Sequence, residues 1–137
     1  MKHEKPELSR KNPYHLPRQR YYELKHFCLQ YDDWKRELRL LKGWKSGGYD
    51  TNGVIKQNTT SDPTEQCALL RVYYSSKLDM ISNCLTQLDP AIAPYILRGV
   101  TEELSYDKLY ACGCPCGREM YYNTYRKFFW LLNKERG

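Results

Sequence analysis

The sequence predicts an all-α protein: a helical bundle of two long helices plus short helices, ending in a C-terminal helix-turn-helix. Three observations predict it. Apolar residues recur at steps of three and four over long stretches, the spacing that lines one face of a helix. Two Asp-Pro pairs, Asp62-Pro63 and Asp89-Pro90, set a capping acceptor directly ahead of a proline at the first helical position, which is a helix start. No segment alternates apolar and polar residues as a half-buried strand does.

The elements follow in order. Residues 1–16 hold prolines at 6 and 13 and no period, and are expected to form a flexible basic arm. Residues 17–100 are expected to form a helical scaffold with a long loop at 43–61. Its first helix runs from Pro17 to Lys42 with Tyr21, Leu24, Cys28, Tyr31, Leu38 and Leu41 inward, Trp34 on the flank and Gly43 as the stop. The loop carries four glycines among small polar residues; structureless stretches of that length are usually functional or disordered. The second long helix opens at Asp62-Pro63-Thr64-Glu65 and runs to about Leu88 on the stripe Cys67, Leu70, Tyr74, Leu78, Ile81, Leu85 and Leu88. A short helix after Asp89-Pro90 carries Ile92, Tyr95 and Ile96, is limited by Pro94, and ends near Gly99.

Residues 101–137 carry the helix-turn-helix. Ser105 caps a short helix, Tyr106 to Ala111; Cys112-Gly113-Cys114-Pro115 breaks the chain; a longer helix runs from about Gly117 to Glu135, with Met120, Tyr121, Tyr125, Phe128, Leu131 and Leu132 available to face inward. A short helix, a tight turn with glycine and a longer basic helix, in that order, is the layout in which the second helix can enter a major groove. Leu109, Cys112 and Cys114 are expected to lock the two helices together. Arg118, Glu119, Tyr122, Asn123, Arg126 and Lys127 then become the DNA-binding residues: arginine pairs with guanine edges or phosphates, asparagine with adenine, and tyrosine donates to phosphate. The alternative for these side chains is an ordinary solvated helix face.

Charge supports a polyanionic partner. The 137 residues carry 22 Lys+Arg against 16 Asp+Glu, a formal charge of +6. Residues 1–43 hold 11 basic and 6 acidic residues, and Cys116 to Arg136 hold five against two, around a balanced middle. Such clusters favour nucleic acid or another polyanion. The basic face of the first helix, with Arg18, Arg20, Lys25, Lys35, Arg36 and Arg39, reads more simply as solvated surface.

Other classes find little footing. No apolar run is long enough to span a bilayer and the N-terminus is polar, so the expectation is a cytoplasmic protein with no membrane partner. The six cysteines are expected to be reduced, with Cys28, Cys67 and Cys84 as small core residues. Cys112, Cys114 and Cys116 follow C-x-C-x-C spacing rather than the C-x2-C of structural zinc sites, and only the distant His15 and His26 could complete them; no metal and no cofactor are expected. There is no phosphate loop, metal-spaced His-Glu pair or nucleophile motif, so the chain is expected not to be an enzyme.

The stretch from Val100 to Gly113, opening VTEELSYDKL, and the basic helix ending Phe128-Phe129-Trp130-Leu131-Leu132 together resemble the region 4 helix-turn-helix of sigma factors as it occurs in small phage-encoded regulators, the ArpU/RinA-type late-gene activators. The long first helix opening on Tyr21-Tyr22 is similar to their layout. Here Cys-Gly-Cys-Pro-Cys stands where that family has an aliphatic-Gly-aliphatic turn and adds a residue, and the second helix is richer in tyrosine. The resemblance implies a phage or prophage transcriptional regulator that binds duplex DNA sequence-specifically. The near-heptad stripes of the two long helices fit either a homodimer or a pairing of the two within one chain. Two other readings stand beside it: a phage-encoded inhibitor of a host nucleic-acid enzyme, of the anti-CRISPR type, and a DNA-packaging subunit like a small terminase.

Overall fold

The computed structural model describes residues 13–47 and 63–137, with side chains described for 13–41 and 64–137. Among the described residues the chain is all-helical, without a strand. The helices are α1 (Arg18–Cys28), α2 (Tyr31–Gly47), α3 (Pro63–Leu85), α4 (Ala93–Glu102), α5 (Tyr106–Ala111) and α6 (Arg118–Arg136). The chain divides into two compact units, Met1–Gln30 with Met80–Gly137, and Tyr31–Asp79. Most of the expected arm, the 48–61 part of the expected loop and the Asp62 cap lie outside the described residues.

The first long helix differs from expectation in two ways. It is two helices rather than one: Leu29 N–H still reaches the Lys25 carbonyl at 3.2 Å, but Gln30 N–H turns to the Phe27 carbonyl, three residues back, at 3.2 Å. This tightened turn closes α1, and α2 restarts with Asp32 and Asp33 in its first turn, where carboxylates complement the helix dipole. No glycine or proline marks the break. In addition, Gly43 does not stop α2, which continues to Gly47. Trp34, expected on the flank, is buried, and so is Phe27, which the stripe left out.

Three further local differences have plain causes. Pro94 lies at the beginning of α4 rather than inside it, where its missing N–H is not needed, so α4 runs past Gly99 to Glu102. It ends on Glu103 in the left-handed conformation, at φ 56°. Asp89 accepts the Ala91 N–H at 2.9 Å as a cap would, but it closes a turn, and α4 begins only at Ala93. And the last residues of the expected arm are packed: Leu16 is buried and the Tyr14 ring lies 5.4 Å from that of Trp130.

The unit Met1–Gln30 with Met80–Gly137 is built around α6, which packs on α1 and α4. Its core joins Leu24, Phe27 and Cys28 of α1, Ile81 and Cys84 of α3, Ile96 and Val100 of α4, Leu109 of α5, and Tyr121, Phe128, Phe129, Leu131 and Leu132 of α6. Edge-on and tilted ring pairs run through it, from Phe128–Phe129 through Tyr21 and Tyr125 to Tyr121 and Tyr106. Each such pair adds about 0.5–1.5 kcal/mol to plain burial. The expected core thiols Cys28 and Cys84 are fully buried there; burial raises both, Cys84 to about 12, so they stay neutral. In the unit Tyr31–Asp79, Trp34, Leu41 and Cys67 are buried, and the Cys67 thiol faces the Leu41 carbonyl at 3.9 Å.

Candidate nucleic-acid interface

The α5–turn–α6 segment is built as its sequence suggests. The Ser105 hydroxyl accepts the Lys108 N–H at 3.3 Å and caps α5. The chain then turns through Gly113 at φ +109°, a conformation that costs any residue with a Cβ. Here a Cβ would also stand 3.2 Å from the Tyr95 hydroxyl. The Cys114 N–H returns to the Leu109 carbonyl at 3.0 Å and the Tyr106 hydroxyl donates to the Cys116 carbonyl at 2.7 Å. These two bonds clamp both ends of the turn, and Gly117 caps α6 directly after them. Leu109 and Cys114 are buried as the lock between the helices; Cys112, expected beside them, is instead exposed, because it follows the last residue of α5 and precedes the reversal at Gly113.

A close approach positions α6 on α4. Gly99 lies under the Tyr121 hydroxyl, so tightly that an added Cβ would fall 2.1 Å from that oxygen. Tyr121 is 1 % exposed, and its hydroxyl has no hydrogen-bond partner among the described residues. Burial pushes its ionisation far up, and the same holds for Tyr125, whose hydroxyl lies 2.8 Å from that of Tyr21. The inner side of α6 is thus neutral.

The six expected contact residues do not share one environment. Arg118, Glu119 and Asn123 are exposed; Tyr122, Arg126 and Lys127 are half-buried. Glu119, Asn123 and Lys127 follow one another at steps of four, opposite the buried positions Tyr121, Phe128 and Leu132. Tyr122 is turned away from that ridge. Its ring packs edge-on against Tyr121 at 4.9 Å and Tyr125 at 5.7 Å, and with Lys25, Glu103 and Ser105 it lines an open cleft of about 280 Å³.

Arg118 is engaged. Its guanidinium donates to the Asp107 carboxylate at 2.8 Å and lies 5.2 Å from the centre of the Tyr106 ring. Both side chains are more than half exposed, Arg118 at 51 % and Asp107 at 77 %. A pair so exposed is worth about 0–1 kcal/mol, less than a charge-assisted bond to a phosphate or a guanine edge. The sequence reading missed this partner, since eleven residues separate the two and no helical spacing links them; an acid in the first turn of the preceding helix is the only hint. Also missed were Trp130 and Lys134, which continue the outer side of α6, the ammonium 3.7 Å from the ring centre. No group of three or more His, Cys, Asp or Glu able to hold a metal occurs among the described residues. No described helix is long and apolar enough to cross a membrane.

No family model, curated protein or solved structure matches this chain.

Proposed function

We propose that the chain is a sequence-specific duplex-DNA-binding protein, of the kind that regulates transcription in phages and prophages, and that it reads the major groove with the N-terminal half of α6. One observation carries the reading. A capped six-residue helix and a clamped turn hold the start of a basic helix whose first turn, Arg118 to Met120, and Asn123 beyond it are exposed. A first turn left open after a braced reversal is the part a groove-entering helix presents to base edges.

Within this reading each residue has a role set by its chemistry. Asn123 offers paired donor and acceptor to an adenine edge. Arg118 exchanges Asp107 for phosphate or guanine, with Tyr106 keeping its guanidinium flat. Arg126 and Lys127 contact phosphates along the groove wall, and Glu119 at the exposed end accepts from a cytosine amino group. Five basic residues against two acidic ones in Cys116 to Arg136 make binding fall steeply as salt rises.

Selection from a pool of random duplex DNA with the full chain tests this. An enriched motif is expected, with Asn123→Ala relaxing one position of it and Arg118→Ala weakening binding. Asp107→Asn, which releases Arg118, is expected to strengthen binding. Failure to enrich any motif at low salt overturns the reading.

A further inference from the structure

Three of the chain's six thiols lie in the six residues that join α5 to α6, and two of them face each other. The Cys114 and Cys116 sulfurs are 3.7 Å apart. Cys112 stands apart from the pair, its thiol exposed. We infer that Cys114 and Cys116 form an oxidisable dithiol site, which peroxides close to an intrachain disulfide that resets the start of α6.

The geometry asks for little movement. A disulfide bond is about 2.05 Å long, so two sulfurs already in contact need to approach by less than 2 Å. Cys116 is half-buried while Cys114 is 4 % exposed, so the oxidant meets Cys116 first. The Cys116 sulfur attacks one peroxide oxygen, the O–O bond breaks, and water leaves with the displaced oxygen, giving a sulfenic acid. The Cys114 sulfur then attacks that sulfur, the S–O bond breaks, and the oxygen leaves as a second water carrying the Cys114 proton. Two thiols and one hydrogen peroxide become one disulfide and two waters. Burial and the Cys114 thiol raise Cys116 above the ordinary range, so the thiolate is scarce at neutral pH. The closing rate therefore keeps rising with pH beyond the ordinary thiol value of about 8.5.

The bond forms where both residues are anchored. The Cys114 N–H is tied to Leu109, and the Cys116 carbonyl accepts the Tyr106 hydroxyl one residue before the Gly117 cap. Pulling Cys116 towards a buried Cys114 strains that hydroxyl bond and shifts the cap of α6. This second part, control of binding, rests on the DNA-binding function proposed above.

The full chain, reduced and then treated with hydrogen peroxide, is alkylated and digested with trypsin. The peptide Leu109–Arg118 carries Cys112, Cys114 and Cys116 together. It is expected two hydrogens lighter, alkylated only at Cys112, with fragmentation placing the bridge at Cys114–Cys116. Cys112→Ser keeps the bridge and Cys116→Ser abolishes it, circular dichroism melting showing both variants folded. Recovery of three alkylated thiols, a bridge that includes Cys112, or a disulfide-linked dimer as the only product overturns the site. Duplex binding is measured on the same samples. Weaker binding by the oxidised protein, absent in peroxide-treated Cys116→Ser, supports the reset of α6, and a mapped bridge with unchanged binding overturns it. A mapped bridge with no duplex binding in either state establishes the dithiol site and overturns the DNA reading together with its control.

Discussion

From Phe128 to Leu132, four of five residues of α6 are buried; from Arg118 to Lys127, Tyr121 alone of ten is. The distal part is gripped from several sides. Arg20 donates to Asn133, Asn83 to Glu135 at 3.1 Å, and the Arg136 guanidinium lies 4.2 Å from the centre of the Phe27 ring. The proximal part is held by α5, the clamped turn, the deep contact of Tyr121 on Gly99 and the Tyr125 hydroxyl against that of Tyr21. One helix thus separates anchoring from presentation along its length. A surface can vary without unfolding the protein when the burial that fixes it lies elsewhere on the same rigid element.

That contrast is broken most forcefully at its anchored end. Phe128 is fully buried against Phe129, rings 5.2 Å apart, and Phe128→Ala is expected to cost about 3–5 kcal/mol, read as a drop in the denaturation midpoint. A loss below about 1 kcal/mol would mean that the distal half is not the anchor.

A smaller effect sharpens the contrast where the two halves meet. Gly99→Ala drives a Cβ into the Tyr121 hydroxyl, and Tyr121 is boxed in by Tyr106, Tyr122 and Tyr125. It cannot swing away, so the substitution is expected to cost about 1–3 kcal/mol. Tyr121→Phe removes the offending oxygen, which has no hydrogen-bond partner among the described residues, and is expected to be neutral or to stabilise by about 1 kcal/mol. In the double variant the loss is expected to shrink. Additive losses would show that the clash is with Leu109, 3.3 Å from the added carbon, rather than with the hydroxyl.

The anchored half was the more legible of the two in the sequence. Phe128, Leu131 and Leu132, turned inward by steps of three and four, are buried, although Phe129, outside that set, is buried with them; in the other half the same pattern turned Met120 inward, and it is exposed. The Ser105 cap, the Gly113 reversal and the Gly117 start were legible because each depends on chemistry within a few residues. What escaped depends on distance along the chain. The α1–α2 break carries no glycine or proline, and is visible only in the Gln30 to Phe27 bond. Asp107 and Arg118 meet because the turn brings α5 beside α6. Tyr122 was expected outward from its place near the helix start, but its neighbours Tyr121 and Tyr125 draw the ring against them. Pro94 was misplaced because α4 starts four residues after Asp89, the intervening chain being taken up by the turn that Asp89 caps.

The smallest expected change in stability lies at the presenting end, and it is the most informative about function. Asn123 is exposed, and Glu119 and Lys127, its neighbours along the ridge, form no ion pair among the described residues. Asn123→Ala removes a polar group from a solvated helix face and adds helix propensity, so its stability is expected to stay within about 0.5 kcal/mol of the parent. The same substitution is expected to reduce affinity for a selected duplex by about 1–3 kcal/mol if the amide reads a base, and the loss should vanish on duplexes changed at that one base pair. Denaturation and duplex titration on the same samples separate the two quantities. A variant that loses stability and affinity together would place Asn123 with the anchoring half. One that loses neither would leave the ridge a solvated face and shift the search for a contact surface to Arg118 and the α5 side of the turn.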